Sequence, residues 1–323
     1  MAKAVRYHKQ GGPEVLQYDD VQVGDPGPGQ VRIRHTAIGV NFVDTYQRSG
    51  LYPMQLPQVA GNEGAGVVEA AGAGVSDLKA GDRICYTGLA GSYCETRLVP
   101  ADRMVKLPKG ISEEQAASML LKGLTVHYLI FSTYPVRQGE TVLWHAAAGG
   151  VGLIACQWLK ALGVTTIGTA GSAEKLALAK AHGADHLINY SSEDFVKRVK
   201  EITGGKGVPV VYDSVGKSTW EGSLDCLRPR GLMVSFGNAS GPVPPVNLGI
   251  LSTKGSLYVT RPTLATHIAS RADLVERSNA LFEIVSSGKV KIETTKTYQL
   301  ADAAQAHRDL ESRKTTGSVI LKP

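Results

Sequence analysis

The stretch that decides the fold is "ETVLWHAAAGGVGLIACQWLKALG", residues 140–163. It begins as a short apolar strand, turns at a glycine-rich segment and continues as an apolar helix that ends at Gly163. The segment from Ala147 to Gly152 matches the glycine fingerprint of a dinucleotide-binding turn, except that alanine replaces the first glycine. Here Gly149 lets the backbone approach a pyrophosphate, Gly152 lets the helix pack on the strand, and the helix N-terminus attracts phosphate. A tight turn without a ligand is the alternative interpretation.

Strand and helix patterns alternate from this turn to about residue 260. The strand-like runs are ETVLWH, VTTIGTAGS, DHLINY, VPVVYDSVG, GLMVSFGNASG and GSLYVT. Helical segments separate the first five runs, and Ser172 and Gly183 are placed to cap and to end the second helix. Because alternation of this kind indicates parallel pairing with right-handed crossovers, the sequence predicts an α/β fold with a doubly wound parallel Rossmann sheet.

The rest of the chain has a different pattern. Before residue 120, short β-like runs such as VRIRHTAIGV are interrupted by Gly and Pro, which indicates a β barrel, while NFVDTYQRSG is typical of one short helix ended by Gly50. The tail from about residue 270 has two amphipathic helices and the strand GSVILKP. We therefore predict that residues 1–124 and 266–323 form one domain and that the Rossmann domain, residues 125–265, is inserted in it.

Composition narrows the function classes. The chain has 323 residues, of which 43% are hydrophobic and 20% charged, as in ordinary globular proteins. The start, MAKAVRYHKQGG, has no apolar run typical of a signal peptide, and no uncharged stretch is long enough to span a bilayer, so we expect a cytoplasmic protein without a membrane partner. The net charge of +6 comes from scattered bases. That pattern fits a small anionic ligand or a merely basic surface and does not favour nucleic acid.

Cysteine and histidine usage argues against several site types. The cysteines are Cys85, Cys94, Cys156 and Cys226. None has Cys-x-x-Cys spacing, so neither a structural zinc cluster nor a redox pair is expected, and the last two are predicted to be buried thiols. His127 and His145 lie in apolar segments and are predicted to be core residues. No Ser-His-Asp set follows from spacing, which leaves hydrolysis without support.

The end of the second Rossmann strand bears on the choice of nicotinamide cofactor. An NAD site has Asp or Glu there, about 20 residues past the glycines, whereas residues 168–173 read GTAGSA. Lys175 can neutralise a 2′-phosphate, and Ser172 and Tyr190 can donate to it, so the sequence predicts NADPH. The alternatives are that Ser172 is only a helix cap, Glu174 only pairs with the helix dipole and Lys175 is only a solvated base.

Seven segments together resemble one known family. They are HKQGGPEVLQ, GVNFVDTYQRSGLYP, LLKGLTVHYL, HAAAGGVGLIACQW, VVYDSVG, MVSFGNASG and LESRKTTGS. The chain is similar, from residue 7 to its end, to the zinc-free quinone oxidoreductases, the zeta-crystallin-like group of the medium-chain dehydrogenase/reductase superfamily. The resemblance implies a GroES-like catalytic domain, NADPH-dependent reduction of a quinone in a metal-free cleft between the domains, and a homodimer.

The resemblance also bears on metal binding. The zinc-dependent branch of the superfamily carries Gly-His-Glu where this chain has Gly61, Asn62 and Glu63, and it has a ligand Cys near the position of Asn41 and Asp44. The run of four close cysteines typical of that branch is absent as well. Asparagine is a poor zinc ligand. We therefore expect no bound metal.

Carried over position by position, the resemblance implies two sets of site residues. Those that line the cleft are Asn41, Phe42, Asp44, Thr45, Tyr46 and Tyr52, and all of these except Tyr52 are also expected to contact the cofactor. Gly149 and Gly152 are expected to contact the cofactor on the evidence of the glycine fingerprint. The resemblance adds Thr125, Tyr128, Gly150, Val151, Gly171, Ser172, Lys175, Tyr190, Phe236, Gly237, Asn238, Ala239 and Arg313.

The chemistry of a quinone singles out three of these residues as catalytic candidates. A quinone is flat and electron-poor, so its site needs an aromatic or apolar slot and donors for the oxygen that becomes anionic. Tyr46 and Tyr52 supply both, and Asn41 can fix the nicotinamide or the acceptor. The alternative for each tyrosine is a ring that simply packs down on its neighbours.

The sequence leads to three hypotheses about function and one about the oligomeric state. The chain is predicted to reduce quinones. The alternatives are a zinc-free reductase of enals and enones and, from another class, a sensor or RNA-binding protein that NADPH regulates. GSLYVT, residues 255–260, predicts a homodimer, because an uncovered apolar edge strand invites pairing across a two-fold axis.

Overall fold

The computed structural model describes all 323 residues and contains two compact units. The first unit comprises Met1–Leu124, His267–Ser286 and Ile292–Pro323, and the second comprises Thr125–Thr266 and Ser287–Lys291. The second unit thus includes one residue and one short segment that the sequence had assigned to the first domain. The functional division between a catalytic and a cofactor-binding domain stays a prediction.

The secondary structure is mixed. The strands are β1 (Ala2–Tyr7), β2 (Gln17–Val21), β3 (Gln30–Val40), β4 (Gln58–Val59), β5 (Glu63–Ala71), β6 (Arg83–Thr87), β7 (Thr96–Pro100), β8 (Val105–Lys106), β9 (Thr141–Trp144), β10 (Thr165–Ala170), β11 (His186–Asn189), β12 (Val208–Asp213), β13 (Leu227–Ser235), β14 (Tyr258–Thr260), β15 (Thr294–Gln299) and β16 (Ser318–Lys322). The α-helices are α1 (Phe42–Ser49), α2 (Glu113–Tyr128), α3 (Gly150–Ala161), α4 (Ala173–Ala181), α5 (Phe195–Ile202), α6 (Trp220–Asp225), α7 (Gly249–Thr253), α8 (Leu264–His267), α9 (Arg271–Ser286) and α10 (Ala303–Glu311). None of these helices combines the length and the apolar character that crossing a bilayer requires.

The second unit is built on a six-stranded sheet in the order β11-β10-β9-β12-β13-β14. Every neighbouring pair in it is parallel. Counted from β9, this is the order 3-2-1-4-5-6 of a dinucleotide-binding fold, in which the direction of winding reverses between the first and fourth strands. The predicted doubly wound parallel Rossmann sheet is confirmed, including the sixth strand at its edge.

Buried apolar side chains hold this sheet between its helices. β12 is buried along its whole length, which is typical of a central parallel strand covered on both faces. Its Val211 belongs to one buried cluster with Leu143 of β9, Ile167 of β10 and Met233 of β13. The carboxyl ends of these strands are therefore anchored by a common core, and the loops that follow them start from fixed positions.

The first unit is mostly antiparallel. Its larger sheet has seven strands in the order β15-β16-β3-β5-β6-β8, with β7 also paired to β3, and its smaller sheet has the order β2-β1-β4. Val31 and Ile33 of β3 are buried with Ile84 of β6. The register of β3 with β5 places Gly39 opposite Glu63, so the end of β3 lies beside the start of β5.

The C-terminal tail completes the core of the first unit. β16 pairs with β3 through Leu321 and Ile38. The last helix, α10, contributes Ala306 to a buried cluster that also contains Val5 and Tyr7 of β1. Residues from both ends of the chain therefore pack together, and this packing brings side chains of α10 beneath α1.

One long helix was not predicted. α2, with the sequence EEQAASMLLKGLTVHY, begins at Glu113 and ends at Tyr128. Its residues Met119, Leu120, Leu124 and Val126 are all buried. Because apolar residues occupy most of its surface, its sequence lacks the one-sided periodicity of an amphipathic helix. The parallel strand β15 was missed as well, since TTKTYQ has little apolar content.

Candidate active site

The turn between β9 and α3 has the geometry of an anion-binding site. A Cβ atom on Gly152 would lie 2.5 Å from the carbonyl oxygen of Ala146, so a side chain at this position would push the helix away from the strand. A Cβ atom on Gly149, the N-cap, would lie 3.3 Å from the same oxygen, which is a tight contact, but it would meet no other heavy atom within 4 Å. The N–H groups of the first turn of α3 lack helical partners, and together with the helix dipole they suit a phosphate.

Some of the residues predicted to bind the cofactor lie close together at the end of β10. Ser172 caps α4, and its Oγ accepts the N–H of Lys175 at 3.3 Å. A Cβ atom on Gly171 would lie 2.9 Å from the hydroxyl oxygen of Tyr190, whose ring is partly exposed. The capping role of Ser172 is thus confirmed, and it leaves the serine O–H able to donate to a further group.

The loop after β12 is shaped by a buried carboxylate. Asp213 accepts hydrogen bonds from the N–H groups of Val215 at 2.7 Å and Gly216 at 3.0 Å. Its other oxygen accepts the hydroxyls of Thr219 at 2.7 Å and Ser223 at 2.9 Å. With four donors around one carboxylate, the turn from strand to helix has little freedom to change.

The loop after β13, Phe236 to Ala239, packs directly on the loop after β12. A side chain on Gly237 would collide with the backbone of Ser214. The N–H of Ala239 donates to Ser214 O at 3.1 Å, and Arg261 donates to Gly237 O at 2.9 Å. The four predicted contact residues of this loop, which include Asn238, therefore lie at the same edge of the sheet as the phosphate turn.

The two histidines that were predicted to be core residues are buried. His145 contacts Thr169 Oγ1 at 2.9 Å and Ser223 Oγ at 3.0 Å through its two ring nitrogens. Burial lowers its pKa. His127 packs edge-on against Trp158, with ring centroids 5.8 Å apart. Burial of all four cysteines as free thiols also agrees with the prediction for Cys156 and Cys226.

Asn41 lies in the first unit where β3 ends and α1 begins. It is 5% exposed. Its backbone N–H donates to Asp44 Oδ2 at 2.8 Å, a contact that starts the helix. Its side-chain Nδ2 donates to Glu63 Oε2, also at 2.8 Å. The orientation of this catalytic candidate is therefore determined by two buried carboxylates, one that accepts from its backbone and one that accepts from its side chain.

Asn62 stands where the zinc-dependent branch has a histidine, and its amide has other partners. Its Nδ2 donates to Asp44 Oδ1 at 2.7 Å and to Gln47 Oε1 at 2.6 Å, while Gln47 Nε2 donates to Asn62 Oδ1 at 3.3 Å. No group of three or more His, Cys, Asp or Glu side chains is arranged to hold a metal ion. The donor set at this position is that of a hydrogen-bonded network.

Asp44 is the most perturbed carboxyl group of this network. Burial raises the pKa of Asp44 to about 6, against the lowering effect of hydrogen bonds from Asn62, the Asn41 backbone and Tyr93. The Tyr93 hydroxyl donates to Asp44 Oδ2 at 3.0 Å. An ionisable group with a pKa near neutrality thus lies directly behind the first turn of α1.

The network continues from Tyr93 to the surface with a defined direction. Arg48, which is buried, approaches His307 Nδ1 at 3.2 Å and pairs with Glu311 at 2.6 Å. Arginine can only donate, so His307 accepts at Nδ1 and its Nε2–H donates to Tyr93, 3.0 Å away. Burial, and then the Arg48 charge, lower the pKa of His307 to about 3, so this ring is neutral.

Three aromatic side chains of the predicted set cluster along α1 and the turn after it. The ring centroids of Phe42 and Tyr46 are 6.1 Å apart, and those of Tyr46 and Tyr52 are 5.3 Å apart in an edge-on arrangement. The Tyr52 N–H donates to Tyr46 O at 3.0 Å, and the Tyr52 ring is partly exposed. The structure thus brings the two catalytic tyrosine candidates together.

The remaining predicted contacts lie elsewhere. Thr45 is buried, and its hydroxyl donates to Phe42 O at 2.8 Å within α1. Thr125 and Tyr128 are buried on the last turns of α2. Arg313, in the loop after α10, has a left-handed backbone with φ of 57°.

Sequence reasoning missed some residues that shape the candidate site. Glu63, Tyr93, Lys122 and Asp213 are all buried polar residues that contact site elements. Their one sequence signal is a charged or hydroxyl side chain inside an apolar run, as for Lys122 in LLKGLTVHYL. That signal identifies a buried polar group but not its partner.

Comparison with known families agrees with both units. The family described as "Alcohol dehydrogenase GroES-like domain" matches residues 27–109. The family described as "Zinc-binding dehydrogenase" matches residues 150–276. The first match confirms the GroES-like fold that was expected for the N-terminal region.

Individual relatives match along the whole chain. A quinone oxidoreductase of Pseudomonas aeruginosa is 57% identical over 325 residues, covering 100% of both chains. A 2-haloacrylate reductase of a Burkholderia species is 46% identical over 332 residues, covering 100% of this chain and 99% of the relative. The crystal structure of Escherichia coli quinone oxidoreductase complexed with NADPH has a TM-score of 0.98 at 54% identity, covering 100% of both chains. The chain therefore belongs to the quinone oxidoreductase family of the medium-chain dehydrogenase/reductase superfamily.

Proposed function

We propose that this protein is an NADPH-dependent quinone reductase. The observation that carries the proposal is the full-length likeness, at a TM-score of 0.98, to a quinone oxidoreductase whose crystal structure contains NADPH. When bound, NADPH would supply the reducing equivalents that the acceptor takes up. The protein's contribution is to bind the cofactor, orient the acceptor and exclude water.

The edge of the second unit's sheet at which the first turn of α3 and the loops after β10 and β13 lie, which we call the nucleotide edge, supports the cofactor assignment. The first turn of α3, with Gly149 at its cap and Gly152 against the strand, suits a pyrophosphate. Ser172, Lys175 and Tyr190 suit a 2′-phosphate, and no acidic residue stands at the end of β10 to select the bare ribose. We assign the other contacts implied by the resemblance as further cofactor-binding residues.

The acceptor assignment is supported by the Asn41 region of the first unit, a name we use for Asn41 with the rings of Tyr46 and Tyr52 and the carboxyl groups of Asp44 and Glu63. The partly exposed rings of Tyr46 and Tyr52 offer an aromatic face with phenolic donors, which suits a flat carbonyl compound. Asn41, held by Glu63 and Asp44, has an orientation set before any ligand arrives. We propose these three residues as the catalytic set, with the tyrosines contacting the acceptor oxygen and Asn41 fixing the reacting partners.

A second candidate substrate class has its own support. The relative named 2-haloacrylate reductase is 46% identical along the full chain. An acrylate, like an enal or enone, presents a carbon–carbon double bond conjugated to a carbonyl group. Hydride delivery to such a bond needs the same cofactor placement as quinone reduction, so we retain reduction of conjugated carbonyl compounds as the alternative.

An acceptor panel tests the proposed function. The purified protein is supplied with NADPH and, in turn, 1,4-benzoquinone, a larger naphthoquinone, an enal and 2-chloroacrylate. We expect the highest kcat/KM with a quinone. Turnover with the enal or the acrylate but not with quinones would replace the proposal by the alternative. NADPH binding without turnover of any acceptor would favour a sensor or RNA-binding role.

We also propose that the protein is a homodimer formed through β14. This strand pairs only with β13 in the chain, and Tyr258 on it is 61% exposed. An apolar edge of this kind is suited to pairing with its two-fold mate. Tyr258→Lys should shift the sedimentation coefficient at micromolar concentration towards a monomer, whereas Tyr18→Lys, an exposed position on β2, should not. A monomeric wild type would contradict the proposal.

For the cellular location, we propose the cytoplasm. All four cysteines are buried free thiols, which fits a reducing compartment.

A further inference from the structure

Lys122 is a buried cation without a hydrogen-bonding partner. It lies on α2, its side chain is 7% exposed, and its Nζ donates to no acceptor. The nearest carboxylate oxygen, Glu63 Oε2, is 3.6 Å away, so the contact is Coulombic and not a hydrogen bond. Placing three unused donors in the interior costs stability. Such an arrangement is better explained by a role at a site than by a contribution to folding.

Glu63 connects this cation to Asn41. The Glu63 carboxylate is fully buried, and its Oε1 accepts the N–H of Leu121 at 2.7 Å. Its Oε2 faces both the Lys122 ammonium and the Nδ2 of Asn41. A side chain at Gly39 would collide with Oε2, so the strand opposite is shaped to admit this carboxylate. The three residues therefore form a chain from α2 through β5 to the end of β3.

The charge state of Glu63 depends on Lys122. Burial raises the pKa of Glu63, and the Lys122 charge is the largest influence that lowers it. The other titratable groups facing Glu63 are Asp44 on α1, Cys85 on β6 and Tyr93 in the loop between β6 and β7. None of them supplies a positive charge. Hydrogen bonds from Asn41 and Leu121 add to the lowering. Removing the ammonium would therefore move the carboxyl group towards its protonated form.

We propose that Lys122 is a positioning residue that acts on Asn41 through Glu63. An ionised carboxylate only accepts hydrogen bonds, so it selects the Nδ2 end of the Asn41 amide. A protonated carboxyl group carries an O–H and can also donate to the Oδ1 end of the amide, so the Asn41 amide could rotate and present either end to Glu63. By keeping Glu63 ionised, Lys122 fixes which atom of Asn41 faces the reacting groups. This inference rests on the proposed role of Asn41 in quinone reduction.

The test compares Lys122→Met and Lys122→Arg with the wild type in steady-state quinone reduction across the neutral pH range. Lys122→Met should lower kcat about tenfold at pH 7, because a misoriented site group costs rate, while the KM for NADPH changes by less than about twofold. Its kcat should recover as the pH rises, since Glu63 then ionises without help. Lys122→Arg keeps the charge and should retain a profile close to that of the wild type.

Matched variants make the outcome specific. Lys106→Met removes an exposed lysine that pairs with Asp82 at 2.9 Å, and it should leave the profile unchanged. Lys122→Met combined with Glu63→Gln should lose the recovery at high pH, because glutamine does not ionise. If Lys122→Met fails to fold, this double variant and Lys122→Arg carry the test.

A second readout does not depend on activity. Infrared difference spectroscopy of the protein without ligand should show a protonated carboxyl band at neutral pH in Lys122→Met, and this band should be absent from the double variant. Wild-type kcat with an unchanged pH profile in Lys122→Met would overturn the inference, as would the absence of that band. A wild type that reduces no quinone would reject the proposed function instead, whatever the spectra show.

Discussion

The nucleotide edge of the second unit and the Asn41 region of the first unit use different kinds of chemical group to bind their ligands. At the nucleotide edge the binding groups are backbone N–H groups of α3. Glycine is needed at positions such as Gly152, where a side chain would collide with the backbone. In the Asn41 region the binding groups are side chains, held by the buried carboxylates of Asp44 and Glu63. A backbone site is encoded locally, whereas a side-chain site depends on partners that are distant in sequence.

The two regions also differ in their electrostatics. The first turn of α3 offers partial positive charge from a helix dipole, which does not titrate. The Asn41 region contains two carboxyl groups whose pKa burial raises. The Lys122 charge opposes the rise at Glu63, and hydrogen bonds from Asn62, the Asn41 backbone and Tyr93 oppose it at Asp44. We therefore expect the nucleotide edge to respond to shape and to be insensitive to pH, and the Asn41 region to respond to pH.

The largest effect is expected from adding one methyl group to the nucleotide edge. Gly152→Ala should lower the free energy of unfolding by about 3 kcal/mol, because its Cβ would overpack the turn against backbone atoms that cannot move aside. The higher helix propensity of alanine relative to glycine would offset this loss of stability by only about 1 kcal/mol. Gly149→Ala is the matched control and should cost much less, since its Cβ would make one tight contact, 3.3 Å from Ala146 O, and no closer one. Chemical denaturation compares the two variants.

Gly149→Ala should instead affect the ligand. Its methyl group would stand at the cap of the first turn, where a phosphate would bind, so NADPH affinity should fall by about tenfold, equivalent to about 1.4 kcal/mol. The loss of stability should be smaller than in Gly152→Ala. Isothermal titration measures the affinity. Equal losses of stability in the two variants would show that Gly149 and Gly152 do not have separate roles.

A smaller, pH-dependent effect is expected in the Asn41 region. Tyr93→Phe should lower the free energy of unfolding by about 2 kcal/mol at pH 8, because it removes a hydrogen bond to ionised Asp44. The loss should shrink at pH 5, where the folded protein has protonated that carboxyl group. Tyr86→Phe is the control: its hydroxyl contacts the neutral ring of His35 at 2.8 Å, so its cost should be the same at both pH values.

The direction of this pH dependence follows from the pKa of Asp44. It is about 6 in the folded protein and is raised from 3.8. Protonation of Asp44 therefore favours the folded state fully below pH 3.8, and this contribution is lost as the pH rises through about 6. The Tyr93 hydrogen bond opposes that loss by stabilising the anion. A Tyr93→Phe cost that is larger at pH 5 than at pH 8 would contradict this explanation.

The smallest effect concerns cofactor choice. Lys175→Ala should weaken NADPH binding roughly tenfold, equivalent to about 1.4 kcal/mol, and should leave NADH binding nearly unchanged. Lys180→Ala, on the last turn of the same helix, is the matched control and should change neither. Dissociation constants from fluorescence titration decide the matter. An equal loss for both cofactors in Lys175→Ala would place the 2′-phosphate elsewhere.

The same contrast explains what could be predicted from the sequence. The strands and helices of the Rossmann sheet, the Ser172 cap and the end of α1 at Gly50 follow from short-range patterns of apolar residues, glycines and caps. Tyr46 and Tyr52 were named as site candidates from the family resemblance and from the chemistry of a quinone, and the contact between their rings is likewise short-range in sequence. These features depend on interactions within a few residues.

The features that could not be predicted depend on long-range packing. Asn41, Glu63 and Lys122 meet only because β3, β5 and α2 converge. The hydrogen bond between Tyr93 and His307 joins residues 214 positions apart. α2 escaped prediction because burial on most sides removes the periodic signal of an amphipathic helix.

The most direct measurement is quinone-dependent oxidation of NADPH and of NADH by protein treated with a strong chelator and then freed of it. We predict that turnover with NADPH is undiminished and clearly exceeds turnover with NADH, because Asn62 is occupied by hydrogen bonds to Asp44 and Gln47 and the nucleotide edge suits a 2′-phosphate. Loss of turnover on chelation, with stoichiometric zinc recovered from the protein, would contradict a metal-free reductase. A preference for NADH would contradict the proposed cofactor.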